Sequence, residues 1–129
     1  MSRALISGID HFVLTAADVD ATIDFYTRVL GMTAETFGAG RRALTFGSQK
    51  INLHQAGAEF EPKARLATPG SADFCLLSDV PVVEVAEHLA AEGVEIIEGP
   101  VAKIGAAGSL LSIYFRDPDG NLVEVANAV

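Results

Sequence analysis

Short stretches of alternating hydrophobic and polar residues are separated in this chain by stretches with a helical period. Residues 8–15 alternate around apolar positions and predict a strand. Apolar residues then recur three or four apart as far as Gly31, which predicts a helix capped at its start by Asp18 or Asp20 and at its end by Gly31. Further strands are predicted near residues 32–37, 41–47 and 50–54. The first half is therefore expected to be a βαβββ unit.

The second half of the chain repeats this order of elements. Asp73 follows His11 by sixty-two residues, and Gly93 follows Gly31 by the same interval. A repeat of this length is a whole supersecondary unit. The pattern predicts a strand at 71–77, a helix at 80–91 with Pro81 in its first turn, and strands near 94–98, 109–115 and 121–126.

We therefore expect one α+β domain, residues 1–129, built from two βαβββ units at about 7–55 and 71–129. The linker between them, about residues 56–70, is punctuated by prolines and glycines. A loop of this length in a compact domain tends to be functional. The segment 99–108 is also rich in glycine and is predicted to be mobile.

The repeat places residues able to bind a metal at matching points of the two halves. His11 matches Asp73, and His54 is taken to match Glu124. All four lie on predicted strands, where the period of two lets their side chains share one face. The two carboxylates stand among apolar residues, where an unpaired charge is costly. Imidazole and carboxylate donors suit a divalent Ni, Zn, Co, Mn or Fe ion, so we predict a metal bound by these four residues.

Composition and charge narrow the classes of partner. The 129 residues are 50% hydrophobic and carry a formal net charge of −8, which argues against a nucleic-acid partner. No apolar stretch approaches the roughly 18 residues of a membrane span. The single cysteine, Cys75, forms no internal disulfide and suits a reducing cytosol. We expect a cytoplasmic protein that acts on a small molecule, without nucleic-acid or membrane partners.

Three segments resemble the vicinal oxygen chelate superfamily, the glyoxalase and bleomycin-resistance family. They are the opening IDHFVL of residues 9–14, the helix end FYTRVLGM of residues 25–32, and the closing YFRDPDGNLVE of residues 114–124. Residues 46–54 and 59–64 are similar more specifically to glyoxalase domain-containing protein 5 and to virulence-associated glyoxalase-like proteins.

This resemblance implies paired curved mixed sheets around a metal cleft. In glyoxalase I-like dimers, unit one of one chain and unit two of the other form the cleft, so a homodimer is implied. Asp73 stands where relatives usually have His. Extradiol dioxygenases use two His and one carboxylate, whereas the four-ligand pattern of glyoxalase I-like and epimerase-like members favours proton transfer.

The favoured function is a metal-dependent lyase or isomerase of the glyoxalase I type. Its substrate would chelate the ion through vicinal oxygens, and Glu124 or Asp73 would move a proton α to a carbonyl. An extradiol-type dioxygenase and a non-catalytic small-molecule binding protein of the antibiotic-resistance type are the open alternatives.

Four further residues are candidates for substrate contact. Cys75 lies two residues after Asp73 and so on the same strand face. Tyr114 and Arg116 precede the last turn, and Lys63 lies in the linker. In a protein of net charge −8, cationic side chains near a cleft would attract an acidic substrate.

Overall fold

A computed structural model describes residues 3–129 as two successive βαβββ units, as the repeat predicts. The elements are β1 (His11–Ala16), α1 (Val19–Leu30), β2 (Thr33–Phe37), β3 (Arg41–Phe46), β4 (Gln49–Gln55), β5 (Asp73–Leu77), α2 (Val82–Ala91), β6 (Glu98–Ile104), β7 (Ser109–Arg116) and β8 (Leu122–Ala128).

The first helix begins and ends at the predicted residues. The Asp18 carboxylate accepts hydrogen bonds from the backbone N–H groups of Asp20 and Ala21, at 3.0 and 3.3 Å. Gly31 follows the helix with φ of +70°, a left-handed conformation that glycine adopts without a steric penalty. The predicted caps Asp18 and Gly31 are confirmed.

Each unit forms its own four-stranded mixed sheet. The strand orders are β1-β4-β3-β2 and β5-β8-β7-β6. In each sheet the first strand of the unit pairs in parallel with the last, and the other pairs are antiparallel. The helix returns the chain so that the second strand runs in the same direction as the first, and two hairpins then bring the last strand back in that direction. The register sets Val13 beside Asn52 in the first sheet and Cys75 beside Glu124 in the second.

One hydrophobic core joins the two units. Alternate residues of both sheets pack with the helices into this core. The rings of Phe12 and Phe74 are 5.0 Å apart between centroids, and those of Phe25 and Phe115 are 6.3 Å apart. Because the core takes one face of each sheet, the opposite faces point away from it. We call these the outer face of unit one and the outer face of unit two.

A buried polar contact also ties unit one to unit two. The Tyr26 hydroxyl donates to Asp117 Oδ2 at 2.7 Å, and both residues are buried. Asp117 also accepts bonds from the backbone N–H groups of Asp119 and Asn121 and from the Asn121 amide. Helix α1 is therefore anchored to the turn between β7 and β8.

The strand predicted near 94–98 is misplaced. The strand lies at Glu98–Ile104 and includes residues 99–104, more than half of the segment predicted to be mobile. Val94 and Ile96 are apolar at alternate positions because both pack against the core. They lie in a segment without strand pairing, so the alternation here reflects burial and not a strand. Pro100 is accommodated because β6 is an edge strand, and the register shifts between Glu98 and Val101.

Within residues 3–129, neither helix has the length and apolar character needed to cross a membrane.

Candidate metal and substrate site

The four predicted ligands lie on two separate faces of the chain. His11 and His54 have side chains on the outer face of unit one, and Asp73 and Glu124 on that of unit two. Among residues 3–129, no three His, Cys, Asp or Glu side chains lie close enough together to hold a metal ion. In a single chain the predicted ligands therefore form two separate pairs, which we call the half-sites of the predicted metal centre, and the four-ligand set stays a prediction.

The register changes one premise of that prediction. Asn52 pairs with Val13 in the first sheet, and Glu124 pairs with Cys75 in the second, so Asn52 and Glu124 occupy equivalent positions. His54 pairs instead with Thr15. The assumed match of His54 with Glu124 is wrong because the two turns differ in length. Phe46 pairs with Gln49 across a two-residue turn, whereas Arg116 pairs with Leu122 across the five residues 117–121.

Strand geometry favours Asn52 over His54 as the partner of His11. His11 pairs with Lys50 on the neighbouring strand β4. Along β4, Asn52 therefore lies two residues from the position opposite His11, and His54 lies four residues from it. At about 3.3 Å per residue these displacements are about 7 and 13 Å along the strands. Two imidazoles on parallel side-chain vectors cannot converge on one ion across the longer interval. In unit two, Leu122 is the neighbour of Asp73, so Glu124 has the same two-residue displacement.

His11 is oriented by the carboxylate that precedes it. His11 Nδ1 lies 2.7 Å from Asp10 Oδ1. A carboxylate here accepts the Nδ1–H and leaves the Nε2 lone pair exposed, which is the tautomer that a metal requires.

The donors on the two faces fit a divalent ion. Asn52 Oδ1 and His54 Nε2 are buried without a hydrogen-bond partner among residues 3–129. Buried polar atoms are normally paired, and an amide oxygen is a ligand for hard cations. One imidazole, one amide oxygen and two carboxylates make a nitrogen and oxygen set suited to hard or borderline divalent metals.

The Glu124 carboxylate is held by the residues around it. The Ser112 hydroxyl, which is fully buried, donates to Glu124 Oε2 at 2.6 Å. The Tyr114 hydroxyl and the Cys75 thiol lie beside this carboxylate and line the same cavity. Ser112 was not among the sequence candidates; its only signal is a hydroxyl within the apolar stretch of β7.

Burial and the Glu124 charge keep the neighbouring groups protonated. They raise the pKa of Tyr114 to about 12 and that of Cys75 to about 11, with desolvation as the larger cause in both. Both side chains line a cavity of about 480 Å³ together with Glu124, Lys103 and the β6–β7 turn. The predicted residues Cys75 and Tyr114 thus lie beside Glu124.

The linker forms a wall over the outer face of unit one. Phe60 packs edge-on against His54, with 5.8 Å between ring centroids. His54, Lys63 and Val13 line a cavity of about 370 Å³. Burial, and next the Arg41 charge, lower the pKa of His54, so the neutral imidazole is favoured.

Lys63 and Arg116 differ in their positions relative to the half-sites. The Lys63 ammonium pairs with Glu59 at 3.1 Å and lies 3.8 Å from Glu61, at the cavity beside His54. Arg116 is exposed and donates to the Gly120 carbonyl at 3.2 Å, which fixes the turn before β8.

The chain belongs to the Glyoxalase/Bleomycin resistance protein/Dioxygenase superfamily, whose pattern matches residues 8–125. The resemblance stated from the sequence is thereby confirmed.

Three proteins illustrate the relationship. Virulence protein STM3117 from Salmonella typhimurium is 53% identical over 127 residues, which cover 98% of this chain and 88% of that protein. Its crystal structure matches with a TM-score of 0.95 and 52% identity, over 98% of this chain and all of that one. Glyoxalase domain-containing protein RDO1 from Mycosarcoma maydis is 53% identical over 122 residues, or 95% of this chain and 69% of that protein. The crystal structure of a lactoylglutathione lyase from Agrobacterium tumefaciens is 26% identical, with a TM-score of 0.73 over 96% of both chains.

Proposed function

We propose that this protein is a metal-dependent lyase or isomerase of the glyoxalase type. Its substrate is a small molecule that chelates a divalent ion through vicinal oxygens. The observation that carries the proposal is the pair of matched half-sites, His11 with Asn52 and Asp73 with Glu124, at the same displacement on two outer faces. The likeness to a lactoylglutathione lyase supports this class of reaction.

A homodimer completes the site in this proposal. The outer faces expose apolar side chains that a monomer would leave in water: Val13 is 42% exposed and Leu77 73%. A symmetric pair would set unit one of one chain against unit two of the other. That arrangement covers these side chains and brings the two half-sites together twice.

The chain's own residues supply the proton transfer. A bound divalent ion supplies a Lewis acid that polarises the substrate oxygens. Ser112 hydrogen-bonds Oε2 of Glu124 and orients the carboxylate, which accepts the proton from the carbon α to the carbonyl. Tyr114, protonated at neutral pH, donates a hydrogen bond to the substrate oxygen on which negative charge develops. Asp73 is the alternative base.

Metal titration of variants tests the ligand assignment. Calorimetry of the metal-free protein should show binding of a divalent ion, and His11→Ala and Asp73→Ala should abolish it. The ion that binds most tightly is then used in a substrate screen. Asn52→Ala should weaken binding, and His54→Ala should leave it nearly unchanged. Strong loss in His54→Ala with none in Asn52→Ala would overturn the assignment of Asn52 and restore the set with His54. No binding to the unchanged protein would refute the metal site.

A second candidate is a binding protein that holds a small molecule in the same cleft without turnover. The cavities of about 370 and 480 Å³, one on each outer face, favour it because they have the size of small-molecule sites. Retention of a small molecule by the metal-free protein, with no turnover by the loaded protein, would support this candidate over the enzyme.

A further inference from the structure

Cationic and aromatic side chains alternate across the outer face of unit one. The Lys50 ammonium lies 3.9 Å from the centroid of the Phe37 ring, and the Arg41 guanidinium lies 5.3 Å from the same ring. Arg41 is also 5.0 Å from the Phe60 ring, which packs against His54. Lys50 and Arg41 thus share the Phe37 ring, and Phe60 links Arg41 to His54; we call these five side chains the stack.

Among the residues that the structure describes, the two cations in this stack have no acidic partner. No salt bridge among residues 3–129 includes Arg41 or Lys50, although the chain carries a net charge of −8. Cation–π contacts hold each charge in place through the ring face. The N–H donors therefore remain available to a ligand, and the side chains are already ordered, which lowers the entropic cost of binding.

The far end of the stack carries an independent sign of a ligand. His54 is 3% exposed, and its Nε2 has no hydrogen-bond partner among the described residues. It lines the cavity of about 370 Å³ that the linker closes. A buried polar atom beside a cavity is normally satisfied by water or by a ligand.

The near end of the stack lies on the same face as a proposed metal ligand. Lys50 is the strand neighbour of His11, and both side chains point to the outer face. The Lys50 ammonium itself reaches toward Phe37 on β2, on the side of β4 opposite to β1. A group bound there would share the outer face with His11 and lie toward the β2 edge of the sheet. The planar fork of Arg41 suits carboxylate and phosphoryl oxygens, which it can bind through two parallel hydrogen bonds.

We propose that Arg41 and Lys50 form an oxyanion subsite and that the substrate is an acid carrying a carboxylate or phosphoryl group. The assignment of this anion to the substrate rests on the proposed function, while the anion site itself does not. The overall negative charge repels anions elsewhere on the surface, so that binding should be local to this cluster.

Anion titration of the metal-free, full-length protein tests the subsite. Inorganic phosphate and acetate are added separately at low ionic strength, and the guanidinium N–H signal of Arg41 is followed by NMR. We expect saturable shifts, with binding weakened at least about tenfold in Arg41→Gln and in Lys50→Gln. Arg41→Lys, which keeps the charge but loses the fork, should give an intermediate affinity. Binding to Lys50→Gln is measured from the guanidinium N–H signal of Arg41. Binding to the Arg41 variants is measured from the backbone amide signals of β3 and β4.

Arg65→Gln is the matched control, because it removes one positive charge from an exposed linker position. It should bind both probes like the unchanged protein. Equal weakening in Arg65→Gln, or shifts that never saturate, would overturn the subsite. Tighter binding of phosphate would assign a phosphoryl group, and tighter binding of acetate a carboxylate. Because no metal is present, failure here leaves the metal titration intact, and failure of metal binding leaves this result intact.

Discussion

The hydrogen bond between Tyr26 and Asp117 should contribute measurably to stability because it joins the two units in the core. Tyr26 is fully buried, Asp117 is 6% exposed, and their oxygens are 2.7 Å apart. Burial, and then the Asp117 charge, raise the pKa of Tyr26, so the phenol remains a donor at all ordinary pH values.

Tyr26→Phe removes this donor without leaving a large cavity. A hydrogen bond to a charged group contributes about 1.5–3 kcal/mol. Asp117 Oδ2 keeps its bond from the Asn121 amide, which limits the cost of desolvation. We expect the free energy of unfolding to fall by about 2 kcal/mol, which for a chain of this size lowers Tm by about 7 °C.

Urea denaturation at one fixed protein concentration measures this loss, since dimerisation would otherwise shift the midpoint. Tyr114→Phe is the matched control: it also removes a tyrosine hydroxyl beside a carboxylate, but on a half-exposed outer face. We expect its cost to be under about 0.5 kcal/mol. Equal costs for the two variants, or a Tyr26→Phe protein as stable as the original, would refute the proposed anchoring of α1.

Three further predictions concern the outer faces. Glu124→Gln should lower turnover by about 10²–10⁴-fold while metal is retained, because it removes the basic group but keeps an oxygen ligand; unchanged turnover in a steady-state assay would transfer the base role to Asp73. Cys75, with its pKa raised to about 11 from 9.0, should react with iodoacetamide at pH 8 about a hundredfold more slowly than an ordinary thiol, and Glu124→Gln should speed it up; mass spectrometry showing ordinary reactivity would contradict the described environment. The pKa of His54 is lowered from 6.5, so the unfolded state binds the proton more tightly and stability should fall as pH drops below about 6.5. Urea unfolding at several pH values should show a smaller fall in His54→Gln than in the unchanged protein. An equal fall in both proteins would show that another group causes it.

The architecture could be predicted because the same order of elements occurs in both halves of the chain. Helix caps, alternation and the interval between His11 and Asp73 all indicated the same unit, and mutually consistent signals are what make a fold readable. The strand β6 was misplaced because buried Val94 and Ile96 alternate as a strand would, although they lie outside any sheet pairing. Burial imposes alternation on irregular segments as well as on strands.

The site was only partly predictable, because register depends on turn length and not on residue type. Counting along the sequence matched His54 with Glu124, whereas strand pairing matches Asn52 with Glu124. A small shift along a strand is enough to change which residues can meet. Arg41 contacts Phe37 and Phe60, which lie on β2 and in the linker. Because the contact joins separate segments of the chain, no local sequence pattern predicts it.

In the proposed dimer, His11 and Glu124 of different chains complete one metal site, and mixed dimers of two variants distinguish this arrangement from a site within one chain. His11→Ala and Glu124→Ala chains with different tags are refolded together, and the doubly tagged dimer is isolated. If the site is shared between chains, this dimer joins an intact unit one to an intact unit two, so it should hold about one metal ion per dimer while each parent holds almost none. A doubly tagged dimer as poor in metal as its parents would rule out a metal site shared between chains.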